Sequence, residues 1–385
     1  MKYLSVRNTG IEVSTIGLGC EHIGEDFDQT YSVIREAIDG GINFMDVFMA
    51  GPEIRDNIGK CLEGVRENVC IQGHFGAIME QGQPTQSRDA ELVRTYFEDF
   101  MTRMRTDYVD VGYLHFIDRP EDYRMVVDGG VLAYAQRLKQ EGVVRAIGLS
   151  THYTHIAQQA VRDGIIDCLM FPVNPAFDFM PKDQNIFDIF SKKAHRTDAW
   201  LGMESSRQVL YSECLDKGIP IIAMKSLGGG MMLYENMSPF GVGMTVHQCV
   251  NYALHNPAVI TAMVGCRNSQ EVKDLLTYFE KSNDEIDYAN VLSRANIQTI
   301  QGKCTYCNHC LPCPVNIDIA TVIKFKDIAK GHGSSENLYV AEHYRALEKT
   351  AKDCVACGAC VNKCPFGVDV VAEMHTARSV FMENE

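Results

Sequence analysis

The chain has 385 residues, 46% hydrophobic and 22% charged, enough for a large globular core plus a smaller module. Its formal charge of −14 argues against nucleic acid or an anionic membrane as partner. The opening MKYLSVRNTG has no apolar signal core and no run is long enough to span a bilayer, so a cytoplasmic protein with reduced thiols is expected.

Along the first two-thirds, apolar strand-like runs alternate with amphipathic helical ones. Candidate strands are STIGLG, INFMDVF, NVCIQGHF, YVDVGYLH, VVRAIGLS, IDCLMFPV, PIIAMKS and ITAMVGC. Helical periodicity fills the gaps, as in TYSVIREAIDG, DAELVRTYFEDFMTRM and SRQVLYSECLDKG, with glycine at several exits. Eight strands each followed by a helix predict a (β/α)8 barrel over residues 1–285. A doubly wound open sheet would want a glycine-rich phosphate turn after its first strand, and GLGCEHIG is no G-x-G-x-x-G.

From 286 to 385 the pattern is helical around two cysteine stretches. CTYCNHCLPCP supplies Cys304, Cys307, Cys310 and Cys313, and CVACGACVNKCPFG supplies Cys354, Cys357, Cys360 and Cys364. The second follows the C-x2-C-x2-C-x3-C-P spacing, in which three cysteines wrap one cubane and the fourth reaches another. Cys313 stands one residue closer, but Pro314 keeps its role recognisable. The spacing therefore assigns Cys304, Cys307, Cys310 and Cys364 to one [4Fe–4S] cluster, and Cys354, Cys357, Cys360 and Cys313 to the other. Zinc also takes C-x2-C pairs, but two quartets each closed by Cys-Pro favour iron–sulfur. Between the quartets, IDIATVIKFKDIAK and YVAEHYRALEKTAKD read as helices joined by GHGSSEN, so an α-helical ferredoxin-like domain is expected. The other seven cysteines, Cys20, Cys61, Cys70, Cys168, Cys214, Cys249 and Cys266, read as buried and inert.

YLSVRNTGIEVSTIGLG resembles the opening hairpin and first strand of the aldo-keto reductase family. AIDGGINFMD, TDYVDVGYLHFID, GVVRAIGLS and AMVGCRNSQEV resemble its later landmarks in order, over residues 1 to 280. With the cysteine tail, the resemblance is to an iron–sulfur branch of that family, common in anaerobes. It implies a TIM barrel, a bound NAD(P)H, and reduction of aldehydes or ketones by an Asp–Tyr–Lys–His tetrad. Asp46 and His115 stand where the aspartate and histidine belong. Met49 or Ala50 stands for the tyrosine, and His74 for the lysine that would tune it. The paired loss means that the proton chemistry has changed. Met224 replaces the aromatic that stacks on nicotinamide, and Met170 the glutamine for its carboxamide. Ser150, Asn174 and Arg267 remain as contacts to carboxamide or phosphate. Lys225 with Gly228, Gly229 and Gly230 forms a stretch that suits a phosphate or is a plain flexible loop.

Strand ends supply His22, Asp46, His74, His115, His152 and Lys225, and barrel sites are built from strand ends. His115 or His74 is the expected proton donor, with Asp46 orienting one imidazole. A metal held by His74, His115, His152 and Asp46 is the sharper alternative. The resulting expectation is an oxidoreductase acting on a small-molecule carbonyl or alcohol, with electrons carried by two [4Fe–4S] clusters to a redox partner protein. An electron-transfer protein, or a barrel enzyme without hydride chemistry, is the alternative reading.

Overall fold

All eight apolar runs become strands of one closed parallel barrel in the computed structural model, which describes residues 1–81, 83–179, 205–294, 302, 304, 306, 309–331, 340–341 and 344–382. A hairpin of β1 (Tyr3–Val6) and β2 (Ile11–Ser14) precedes it. The barrel strands are β3 (Ile16–Gly19), β4 (Phe44–Asp46) and β5 (Cys70–Phe75), then, after a hairpin of β6 (Ala77–Glu80) and β7 (Gln83–Gln86), β8 (Val109–Leu114). β9 (Val144–Ser150), β10 (Cys168–Pro172), β11 (Ile221–Met224) and β12 (Val259–Gly265) complete it, and β12 pairs with β3 to close the ring. The strands read as continuous apolar runs because helices cover the outside while side chains fill the inside.

The interior cluster includes Phe44, Val111, Tyr113, Ala146, Cys168, Met170, Ile222 and Met263, and Val6, Ile11 and Val13 of the opening hairpin join it. Tyr113 is fully buried, and a Cβ at Gly148 would fall 2.3 Å from its ring, so glycine there lets the tyrosine lie flat on β9. The helices between strands begin where short polar side chains accept backbone N–H groups. Asp26 opens Phe27–Asp39, Asp89 opens Ala90–Arg103, Thr245 forms a capping box on Val246–His255, and Asn268 opens Ser269–Leu276. The three helical runs read from sequence appear as Phe27–Asp39, Ala90–Arg103 and Ser205–Asp216.

The chain divides into two compact units. The first is Met1–Asn174, Leu210–Gly230 and Thr245–Ile286, and holds the barrel. The second is Pro175–Val209, Met231–Met244 and Asp287–Glu385. Its described helices include Tyr288–Ser293, Ile319–Gly331 and Val370–Val380. Lys326, 6% exposed at the side chain, pairs with Glu373 and Asp327, tying the last two of these helices together. The helix expected over 339–353 lies partly outside the described residues. Its described portion gives way to a turn by Ala346 and a short 3-10 helix, Ala351–Asp353. Most of GHGSSEN also lies outside them.

Six of the seven scattered cysteines are buried and Cys70 is half-buried. Burial pushes the thiol of Cys61 up to about 11 and those of Cys70, Cys168, Cys249 and Cys266 up to about 12. They are packing residues, as their scatter implied. No helix among the described residues is long and apolar enough to cross a membrane.

Candidate active site and cysteine cavity

Asp46 ends β4, His74 is the next-to-last residue of β5, and His115 follows the last residue of β8. These strands are neighbours in the barrel, with Asp46 opposite Gln72 and His74 opposite Tyr113. Three side chains far apart in sequence thus meet at one rim. His74 Nε2 lies 2.7 Å from Asp46 Oδ1, and His74 Nδ1 lies 2.9 Å from His115 Nδ1. Both ring nitrogens of His74 are spent on protein partners.

The arrangement decides who carries protons. A carboxylate only accepts, so His74 donates through Nε2–H. With His74 neutral, its Nδ1 accepts the Nδ1–H of His115 and leaves His115 Nε2 as a bare acceptor; with His74 charged, its Nδ1–H donates and the proton of a neutral His115 sits on Nε2. Burial, followed by His74, Arg88, His152 and Arg55, holds the His115 pKa well below the ordinary imidazole value. The neutral form of His115 is thereby favoured.

The environment of this pair includes residues that sequence reasoning missed. Phe48 stacks on His115 with ring centres 6.5 Å apart and meets His74 edge-on at 6.2 Å. An unhydroxylated ring thus stands beside the imidazoles, while Ala50 is buried and Met49 is half-buried. Phe116, next to His115, has a φ of +51°, a conformation that costs energy unless it is held. Its N–H donates to Ser150 Oγ at 2.8 Å and its carbonyl accepts from Arg88 Nη2 at 2.7 Å. Asp118 accepts from the Thr151 hydroxyl and the His152 backbone, and lies 3.0 Å from His152 Nδ1. Burial raises the Asp118 pKa, but these bonds outweigh it and leave the carboxyl below its usual range. Tyr113, the nearest phenol in sequence to His115, faces Cys168 inside the barrel at 3.5 Å, and burial lifts its pKa well above a phenol's. It is no substitute for the missing tyrosine. His22 is exposed, after β3.

The expected nucleotide contacts are largely committed elsewhere. The Ser150 hydroxyl takes the Phe116 amide, and Asn174 Nδ2 donates to the Lys225 carbonyl at 2.8 Å. Met170 is buried in the barrel interior. Lys225, Gly228, Gly229 and Gly230 have φ values of 53°, 59°, 65° and 87°, so this turn needs its glycines. The amides of Gly228 and Gly230 bond the carbonyls of Lys225 and Leu227. Arg267 is exposed past β12, and its backbone holds Gln29 and Glu271.

In the second unit, Cys313, Cys354, Cys357 and Cys360 line one cavity together with Val371 and Met374. Among the described residues no three His, Cys, Asp or Glu side chains converge as the ligand set of a single ion. Thiolates on one zinc lie about 4 Å apart, given a Zn–S bond of about 2.3 Å. A largely apolar cavity with four thiols fits a cubane better. Two bonds near Cys364 link the segments that carry the two stretches. Gly302 N–H bonds the Phe366 carbonyl at 2.7 Å, and Lys363 Nζ bonds the Pro312 carbonyl at 3.2 Å. Cys304, Cys310 and Cys364 are half-buried, and Cys307 lies outside the described residues.

The sequence pattern of the Aldo/keto reductase family matches residues 15–248. The chain belongs to that family. Residues 300–368 match the 4Fe-4S dicluster domain, so this member carries an iron–sulfur module after its barrel. Among curated proteins, the uncharacterized oxidoreductase YqkF of Bacillus subtilis is 22% identical over 71% of this chain and 90% of its own length. L-galactose dehydrogenase of Arabidopsis thaliana is 30% identical over 37% of this chain and 46% of its own length. Among solved structures, the aldo-keto reductase AKR11C1 of Bacillus halodurans, in its holo form, superposes with a TM-score of 0.59 at 18% identity, covering 78% of this chain and 99% of its own. That likeness concerns the fold.

Proposed function

We propose that the barrel interconverts a small-molecule alcohol and its carbonyl, with His115 as the proton-exchanging group, and that two [4Fe–4S] clusters serve the reaction's electrons. The observation that carries this reading is the unbroken hydrogen-bond chain Asp46–His74–His115. In the oxidising direction, His115 Nε2 accepts the hydroxyl proton. His74 holds the acceptor tautomer by receiving the His115 Nδ1–H, and Asp46 holds His74 in turn. The positive charge that develops on His115 is shared toward a buried carboxylate, so the proton is taken without a phenol or a lysine. Phe48 and Tyr113 wall the imidazoles with rings and limit water at them.

Residues 1–285 would form the catalytic module and 286–385 the cluster module. Cys304, Cys307, Cys310 and Cys364 would hold one cluster, and Cys354, Cys357, Cys360 and Cys313 the other. When bound, such clusters supply transfer of single electrons, here exchanged with a redox partner protein. The hydrogen on the carbinol carbon would leave as hydride to a bound NAD(P)+, the two-electron acceptor that the family's chemistry would supply, although Met224 and Met170 stand where the family's nicotinamide contacts belong. Lys225, Gly228–Gly230 and Arg267 would offer only a phosphate end. Those losses favour a second reading, in which the barrel works without hydride chemistry.

Asp46→Asn tests the chain at nearly constant shape. An amide can donate to His74 Nε2, which would put the His74 proton on Nδ1 and force that of His115 onto Nε2. Alcohol oxidation should then drop about 10²–10⁴-fold, the usual worth of a positioned base, with KM little changed. A variant that keeps wild-type turnover would remove Asp46 from the mechanism.

A further inference from the structure

The cysteine cavity has a wall that the cysteine motifs do not contain. Val371 and Met374 of the helix Val370–Val380 line it, and one turn further along the same helix stands Arg378. Arg378 reaches back across the loop that begins the second quartet. Its Nε donates to the Ala351 carbonyl at 2.9 Å, and its Nη2 to the carbonyls of Lys352 at 2.8 Å and Cys354 at 2.9 Å. Three carbonyls on one guanidinium hold the turn from which Cys354 emerges. The same turn is braced from the other side, where the Ala351 N–H donates to the Tyr344 hydroxyl at 2.9 Å. Tyr344 stacks on Phe381 of the chain's last turn, with ring centres 3.8 Å apart. Beyond Cys354, Ala356 adopts a φ of +53° and aims its N–H at the Cys354 sulfur at 3.4 Å. Among the described residues no carboxylate pairs with Arg378.

We propose that Arg378 is the positioning residue of the cluster bound by Cys313, Cys354, Cys357 and Cys360, anchoring Cys354 through its carbonyl and setting that cluster's potential through its charge. This rests on the cluster assignment proposed above. A cluster gains one negative charge on reduction, and a nearby guanidinium in a half-buried site favours the reduced form. The two effects separate by substitution. Arg378→Lys keeps the charge and loses the three-carbonyl fork, whereas Arg378→Gln loses both.

The test is a potentiometric titration of the full chain with its clusters, followed by EPR, alongside the rate of iron release to a chelator. Arg378→Gln should lower the midpoint of one cluster by about 59 mV, a tenfold change in its one-electron equilibrium, and leave the other in place. Arg378→Lys should keep both midpoints while releasing iron from that cluster faster than wild type. If Arg378→Gln instead purifies with only half the iron and Arg378→Lys with all of it, the charge role stands on that difference, and the anchoring role on faster iron release from Arg378→Lys than from wild type. Unchanged midpoints and release rates in both variants would overturn the proposal, and so would an equal shift of both clusters. A wild-type protein that binds zinc or a single cluster fails the underlying assignment instead, which keeps the two failures apart.

Discussion

His115→Ala is expected to lower alcohol oxidation by about 10²–10⁴-fold at pH 7, because it deletes the one proton acceptor that the chain Asp46–His74–His115 presents. The sign of the pH dependence follows from the depressed His115 pKa. The base form prevails at neutral pH and is lost only as pH falls through that low value. Oxidation by the wild type should therefore stay level from about pH 6.5 upward, above the ordinary histidine pKa, and decline on the acid side. Reduction of the carbonyl needs the protonated ring, so it should weaken about tenfold per pH unit above the depressed pKa. A tyrosine acid would instead place a limb near pH 10. Folding responds in the same direction. An unfolded histidine takes up a proton near pH 6.5 that the folded one refuses, so this group's contribution is full above that pH and is lost as pH falls. Steady-state rates from pH 5 to 10 on an alcohol turned over by the wild type check all of this. Full turnover by His115→Ala would make the histidine scaffold.

The second large effect is expected at Cys313. It comes from the first cysteine stretch yet lines the cavity with Cys354, Cys357 and Cys360 of the second. Cys313→Ala should reduce the iron content of anaerobically purified protein from about eight to about four, by loss of one cubane. Cys364→Ala should remove the other cluster, beside which Gly302 and Phe366 join the two stretches. Iron analysis with EPR distinguishes the two losses. Equal damage to both clusters by either variant, or none, would contradict the crossed ligand sets.

The parts legible from sequence are those written as a period or a spacing. STIGLG through ITAMVGC are apolar because parallel barrel strands are covered on both faces, and each run became a strand. The cysteine stretches were legible because a cubane dictates its own loop length. Contacts set by strand adjacency were harder. That His74 touches His115 depends on β5 lying beside β8, although 41 residues separate them. Asp118 and Arg88 act through irregular loops whose backbone direction no periodicity encodes, and the Phe116 conformation is visible only as an angle. Phe48 stands two residues after Asp46, but that its ring meets both imidazoles depends on the path of the chain after β4, which no periodicity encodes. For the metal alternative, no ligand set converges among the described residues: both nitrogens of His74 face protein partners and His152 meets Asp118, which spacing along the chain could not reveal.

Protonation of the two imidazoles is the point on which the account turns, and it can be read without a substrate. Ring-nitrogen NMR of histidine-labelled protein, with His115→Ala and His74→Ala to assign the signals, reports charge and tautomer directly. At pH 7 the expected result is a neutral His115 with its proton on Nδ1, hydrogen-bonded to a His74 that carries a proton on Nε2. An imidazolium at His115, or a His115 proton on Nε2, at that pH would contradict it.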